Sequence, residues 1–246
     1  VDAEGAFDRC FLILRRPHQV DPDRAVECGE VFAGKDKPAG LVVHADEQGS
    51  ATVFDAAIEY IRRKYHKPGR VYLGVVHRLD RNVSGALLFA RTSKSASRLS
   101  EQIREQRMTK RYLALVSGRL PQPSGSIVQW LAKDGVTNQS RVVPDGTPGA
   151  RRSALSWELV QSGVSRQLIS ILLESGRSHQ IRVQLASLGC PILGDIKYGS
   201  RVRLPNHGLA LHASELTFRH PVLPELVTVA APPPACWDSW LHEAVA

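Results

Sequence analysis

The stretch VYLGVVHRLDRNVSGALLFA, residues 71–90, sets two apolar runs on either side of a polar segment. Val71 to Val76 and Ala86 to Ala90 read as strands, and the turn-prone segment from His77 to Gly85 joins them. The same grammar recurs outward in both directions. EVFAGKDKPAGLVVH (30–44) places two short apolar runs around a Lys37-Pro38-Ala39-Gly40 turn, a hairpin-like or strand–turn–strand pattern. Tyr112 to Val116 reads as a strand, Ser153 to Val160 and Gln167 to Glu174 as a pair, and Leu209 to His212 and Leu226 to Val229 as strands near the end. The Gly-, Pro-, Ser- and Asp-rich stretch from Pro121 to Pro148 reads as loops with short strands.

Three helices are predicted between these strands. Thr52 begins the first, with Asp55 as a capping-box partner and Val53, Ala57, Ile58, Ile61 and Tyr65 along one face, until Pro68-Gly69. Ser93 caps the second, which runs to about Met108 with Ala96, Leu99 and Ile103 inward. Its other face and exit are basic: Arg98, Arg104, Arg107, Lys110 and Arg111 against Glu101 and Glu105. The third spans Ser178 to Leu188, with Ser178 as N-cap, Ile181, Leu185 and Leu188 on one face, and Gly189 and Pro191 ending it. This order lacks the regular βαβ alternation of a doubly wound sheet. It predicts an α+β fold, one domain over residues 1–246 on a mainly antiparallel mixed β-sheet with flanking helices and loops.

Composition narrows the function. The chain has 246 residues, 43% apolar and 23% charged, with a formal net charge of +8 and a pI near 9.6. That balance favours polyanionic partners, nucleic acid before an anionic membrane surface. No apolar run reaches the 18 residues of a membrane span, and residues 1–11 do not form a secretory signal, so a cytoplasmic protein without membrane association is expected. Cys10, Cys28, Cys190 and Cys236 form no C-x-x-C pair, which speaks against a zinc knuckle or dithiol site and suits reduced thiols. No Gly-rich phosphate loop occurs, which counts against a nucleotide cofactor.

Three constellations could carry chemistry. His77-Arg78-Leu79-Asp80 puts a carboxylate at the end of a strand, where it either faces a reacting group or caps a solvated turn. Lys110-Arg111-Tyr112 sets an aromatic among cations, able to stack on a base while the cations meet phosphates, or simply a tyrosine half-buried at a sheet end. In Gly176-Arg177-Ser178-His179-Gln180-Ile181-Arg182, an arginine beside an apolar helix face suits a carboxylate, because its planar fork matches two oxygens. Otherwise it lies on a solvated helix face. His179 invites a general-base or metal-ligand role, but no second His, Cys or carboxylate stands at ligand spacing.

Taken together, in this order, the motifs resemble the RluA-type RNA pseudouridine synthases. The resemblance runs from DKPAGLVVH (36–44) through HRLD (77–80) with Ser84-Gly85 behind it, and KRYLALVSG (110–118). It continues through GRSHQIRVQLASLGCPILGDIKYG (176–199) to LALHASELTFRHP (209–221). It covers about residues 30–234 and implies the pseudouridine synthase fold with an active-site cleft across the sheet. It implies that Asp80 is the catalytic aspartate, Tyr112 the active-site tyrosine and Arg182 the basic residue paired with the aspartate. Ile181 then lies under the base, and Arg78 helps eject and replace the target nucleotide. His77, Lys110, Arg111 and Arg177 are counted with Arg78 and Ile181 among the substrate-binding residues. Two features depart from common family members: no S4-type RNA-binding domain is expected before the catalytic part, and residues 124–152 align poorly.

The implied reaction breaks the N1–C1′ bond of uridine, turns the uracil and joins C5 to C1′. It needs no redox change or phosphate energy, so no cofactor and no metal are expected. One carboxylate suffices, by adding to C1′, adding to C6 or taking the C2′ proton. The base must leave a folded RNA, which requires flipping. The expected partner is RNA alone (rRNA, tRNA or mRNA), with the protein acting as a monomer. Two rival readings are a non-catalytic RNA-binding module of the same fold and a glycosidase-like hydrolase. The first would not require Asp80, Tyr112 and Arg182 together, and the second lacks a partner carboxylate for Asp80.

Overall fold

A computed structural model describes residues 11–14, 31–44, 52–66 and 68–243. They form two compact units: residues up to Met108 with Glu215–Pro232, and Thr109–Ser214 with the residues from Pro233 onward. The expected α+β class with antiparallel strand pairing is found in both. Cys10, Cys28 and most of the opening stretch lie outside the described residues.

In the first unit, β1 (Phe11–Leu14) pairs with β2 (Val31–Lys37), which pairs with β4 (Ser84–Ala90); β3 (Gly74–Val75) lies on the other side of β4. All seven residues of β4 are buried, as expected of a strand covered on both faces. Alternation sorts its side chains. Ala86, Leu88 and Ala90 join Leu99, Met108, Leu216, Phe218 and Val229 in one core cluster. Phe89 points the other way, 6.2 Å from Phe54 of helix α1 (Val53–Tyr65). The end of β10 (Leu211–Arg219) pairs with β11 (Leu226–Ala230) to complete this unit.

The Thr52–Asp55 capping pair is present, with the Asp55 N–H donating to Thr52 Oγ1 at 3.0 Å and that hydroxyl donating to Asp55 Oδ2 at 2.6 Å. Several expected boundaries move. The run after Gly40 is not a strand: Val42 makes only an isolated bridge to Thr52, because its carbonyl and that of Val43 accept from the first N–H groups of α1. Of Val71 to Val76, only Gly74 and Val75 reach the ladder of β4. Helix α2 is Ser93–Arg104 and is capped by Thr92, not Ser93; it stops before Met108 because Gln106 turns left-handed at φ 56°.

The second unit is built on β5 (Thr109–Ser117), β6 (Ser124–Asp134), β7 (Gln139–Val143), β8 (Arg151–Ser162) and β9 (Arg166–Leu173). They pair in the order β5-β9-β8-β6-β7, so the expected pairing of β8 with β9 holds. Where loops with short strands were expected, β6 and β7 form one long hairpin. Its Gly- and Ser-rich composition has a packing cause: a Cβ on Gly125 would lie 2.4 Å from the ring of its cross-strand neighbour Trp157. One sheet face buries Tyr112, Ala114, Leu131, Leu155, Trp157, Ile169 and Ile171. Helix α3 (Gln180–Ser187) is tied to this unit's strands by Gln180 Nε2 to the Ala154 carbonyl and Gln129 Nε2 to Ser187 Oγ, each at 3.0 Å.

Helix α3 starts one residue later than the Ser178 cap predicts. His179 is the N-cap, in the left-handed region at φ 54°, and its side chain makes no capping bond. Gln180 takes over locally: its Oε1 accepts from the Arg177 N–H at 3.1 Å and from Ser175 Oγ at 2.9 Å. The helix is buried from Gln180 to Leu185, so Arg182 sits inside the unit and not on a solvated face.

Candidate active site

In the first unit, the polar segment after β3 is a pinned loop. Leu79 and Val83 are buried, Arg78 is exposed and Asp80 is partly exposed. The Val83 N–H donates to the Asp80 carbonyl at 3.1 Å, closing a tight turn through Arg81 and Asn82. The apolar anchors thus hold the turn while the carboxylate stays in reach of solvent. His77 ties the loop to its strand: its Nε2 accepts from the Leu88 N–H at 2.9 Å, which requires that nitrogen to be unprotonated. A residue expected in substrate binding therefore has one ring nitrogen committed to β4.

A stronger tie comes from Lys37, which the sequence reading left without a role. Its side chain is 2% exposed. Its Nζ donates to the carbonyls of Pro38 at 2.9 Å, Arg81 at 3.0 Å and Val83 at 2.7 Å. Three carbonyls match the three N–H bonds of an ammonium, which is how a charge so deeply buried is tolerated. Gly40 adds a backbone bond to the Arg81 carbonyl at 2.9 Å. The motif DKPAG and the Asp80 turn are one hydrogen-bonded assembly.

In the second unit, the pleat of β5 divides Lys110-Arg111-Tyr112. Tyr112, opposite Ile171, is buried. Arg111 points to the opposite face, where its Nη1 donates to Ser170 Oγ at 3.3 Å. The pleat puts Lys110 on the Tyr112 side, and a Cβ on Gly176 would stand 3.5 Å from its Nζ. Burial holds the Lys110 ammonium below its ordinary pKa. The three neighbours in sequence are therefore not one cluster in space. Arg177 is exposed, while Ile181 is buried beside Arg182 on α3.

Arg182 is 7% exposed and grips Asp195, which is 1% exposed. Nε lies 2.7 Å from Oδ2 and Nη2 lies 2.8 Å from Oδ1, a bidentate pair. The Tyr198 ring covers the guanidinium, with Cζ 5.0 Å from the ring centroid. Asp195 and Tyr198 escaped the sequence reading, although a signal was present: an acidic residue set in the apolar run PILGDI (191–196) implies a buried, paired charge. Gly194 before it is at φ 88°, and a Cβ there would lie 2.4 Å from the Gly208 carbonyl oxygen. His179 is a hydrogen-bond partner of the Tyr198 hydroxyl, with Nδ1 at 2.8 Å.

Among the described residues, no group of three or more His, Cys, Asp or Glu side chains is arranged to hold a metal ion, and no helix is long and apolar enough to cross a membrane. Cys190 and Cys236 are free thiols, the first buried and the second exposed; burial raises the Cys190 pKa.

Residues 35–187 match the family described as RNA pseudouridylate synthase. An uncharacterized RNA pseudouridine synthase of Bacillus subtilis, YhcT, is 34% identical over 202 residues, covering 81% of this chain and 65% of that protein. The ribosomal large subunit pseudouridine synthase D of Zymomonas mobilis is 34% identical over 233 residues, covering 87% of this chain and 72% of that one. Of solved structures, human RNA pseudouridylate synthase domain containing 4 has the same fold, with TM-score 0.73 at 22% identity over 96% of this chain and 92% of that one. The chain spans about 65% of the length of the first curated relatives.

Proposed function

The chain belongs to the RNA pseudouridylate synthase family, and from that premise we propose that it isomerises uridine to pseudouridine in structured RNA through the carboxylate of Asp80. The observation that carries this reading is the Asp80 turn. A partly exposed carboxylate stands on a loop fixed by Leu79, Val83, His77 and three bonds from Lys37. Such investment in holding one loop suits a group that must meet a reacting atom in fixed geometry.

In the reaction proposed, Asp80 acts ionised, as nucleophile at C1′ or C6 or as base at C2′. Arg182 supports its charge, Tyr112 stacks on the uracil, Ile181 packs beneath it, and Arg78 fills the gap left by the flipped nucleotide. His77, Lys110, Arg111 and Arg177 contribute to binding the RNA. We treat residues 1–246 as one catalytic domain. The enzyme works as a cytoplasmic monomer on RNA, without metal or cofactor.

The new C5–C1′ bond displaces the hydrogen on C5. RNA prepared with tritium at uridine C5 should therefore release tritium to water with the wild-type chain and not with Asp80→Asn, an isosteric change that removes the ionised oxygen. The Asn variant should keep its fold and RNA affinity. Release by Asp80→Asn at the wild-type rate would remove Asp80 from the chemistry, and a wild-type chain that binds RNA without any release would make it a binding module.

A further inference from the structure

We propose that Asp195 and Tyr198 are positioning residues, built as a single turn, that hold Arg182 in its working orientation; this rests on the reading of Arg182 as part of the uridine-isomerising site. An arginine side chain has many rotamers, and a fork meant to support a charge must be confined to one. Here two contacts do so. The Asp195 carboxylate fixes the Nε–Nη2 edge in the guanidinium plane, and the Tyr198 ring closes off its face. With that edge fixed, the direction of Nη1 follows from the planarity of the group.

The two holders come from one local element. Asp195 is the N-cap of the short 3-10 turn Ile196–Tyr198, and its carbonyl accepts from the N–H groups of Tyr198 at 3.1 Å and Ser200 at 2.9 Å. Asp195, just before the turn, and Tyr198, its last residue, both reach Arg182. The tyrosine is itself held at its far end. Its hydroxyl accepts from the Ser140 N–H at 2.8 Å, so its own proton is available to His179 Nδ1, also at 2.8 Å. His179 adopts a left-handed backbone one residue before α3 begins. That costly conformation places its ring against Tyr198, with centroids 5.6 Å apart. The chain of contacts runs from His179 through Tyr198 and Asp195 to Arg182, all within the second unit.

Two measurements on the full chain test this. The first is the Arg182 Nε–H signal in nitrogen-15 NMR, whose exchange with water reports the Asp195 grip independently of activity. The second is the single-turnover rate of tritium release at saturating enzyme, set beside the RNA dissociation constant. Tyr198→Leu should lower the rate roughly tenfold and Tyr198→Phe by less than about threefold, because phenylalanine keeps the ring over the cation. RNA affinity should hold within about twofold in both, and Asp195→Asn should lose on the order of a hundredfold in rate and the Nε–H protection. If Asp195→Asn fails to fold, the tyrosine pair decides alone. A folded Tyr198→Leu protein with wild-type rate overturns the proposal, as do equal losses in the Leu and Phe variants. Should the wild-type chain release no tritium, the uridine reading fails, and protection of Nε–H in wild type against its loss in Asp195→Asn still decides whether this turn holds Arg182.

Discussion

Lys37 and Val83, 46 positions apart, are joined through the lysine Nζ and the valine carbonyl oxygen at 2.7 Å. That bond and its companions to Pro38 and Arg81 fasten the turn that follows Asp80. Lys37→Met keeps an unbranched apolar stem but leaves three carbonyls without their ammonium. We expect a loss of about 3 kcal/mol or more in stability, since each hydrogen bond to a charged group contributes about 1.5–3 kcal/mol. Thermal melting measures it, and hydrogen exchange at the Val83 amide should accelerate. An unchanged melting temperature would show that the lysine is not what holds this turn.

Arg78 is exposed beside the buried Leu79, as a residue that enters RNA must be. Unstacking a base costs a few kcal/mol, so Arg78→Ala should slow reaction on folded RNA by on the order of ten- to a thousandfold. On a short unstructured RNA much of that deficit should vanish, whereas Asp80→Asn stays inactive on both. Equal losses on the two substrates, with a lowered melting temperature, would make Arg78 scaffolding.

The basic residues around α2 should differ in their effect on RNA binding. Arg98 donates to the Pro221 carbonyl and Arg107 pairs with Glu105, so both have internal work. Arg104 is exposed in the last turn. If it meets a phosphate, Arg104→Glu should reduce the slope of log K against log salt by about 0.7 to 0.9 for the lost contact. A slope unchanged in this variant moves the RNA path off α2.

Lys110 gives a pH prediction. Its folded-state pKa lies below the ordinary 10.5 because burial disfavours the charge. Between the lowered value and 10.5 the unfolded chain binds more protons than the native one, so stability gains with rising pH across that window. Below the window the lysine is charged in both states and its burial cost is fully present. Lys110→Met should therefore melt higher than wild type at neutral pH, with the gap narrowing toward pH 10. A gap constant with pH would show that the ammonium is solvated in the native protein.

How much of this was readable in advance divides by distance along the chain. The capping pair Thr52–Asp55 and the stop at Gly189 involve partners within a few residues, and both stand as read. The Ser178 cap failed because Gln180, from inside the helix, reaches back to Arg177 and Ser175 and serves the entry instead. The length of the strands in the β6–β7 hairpin, read as short strands among loops, was missed because the ring that makes Gly125 fitting, that of Trp157, comes from another strand.

What the amino-acid sequence determined by itself is the alternation of strands with few helices, the motif order that names the family, and the turn-prone setting of Asp80. These rest on local periodicity, turn chemistry and residue identity. What only the tertiary structure decided is which groups meet. The pleat of β5 parts Arg111 from Tyr112, although the two are adjacent. Lys37 finds its carbonyls 44 and 46 positions away, and Arg182 finds Asp195 beyond the end of its own helix. A buried charge must be matched wherever the fold brings an acceptor within about 3 Å, and separation along the chain carries no record of that meeting.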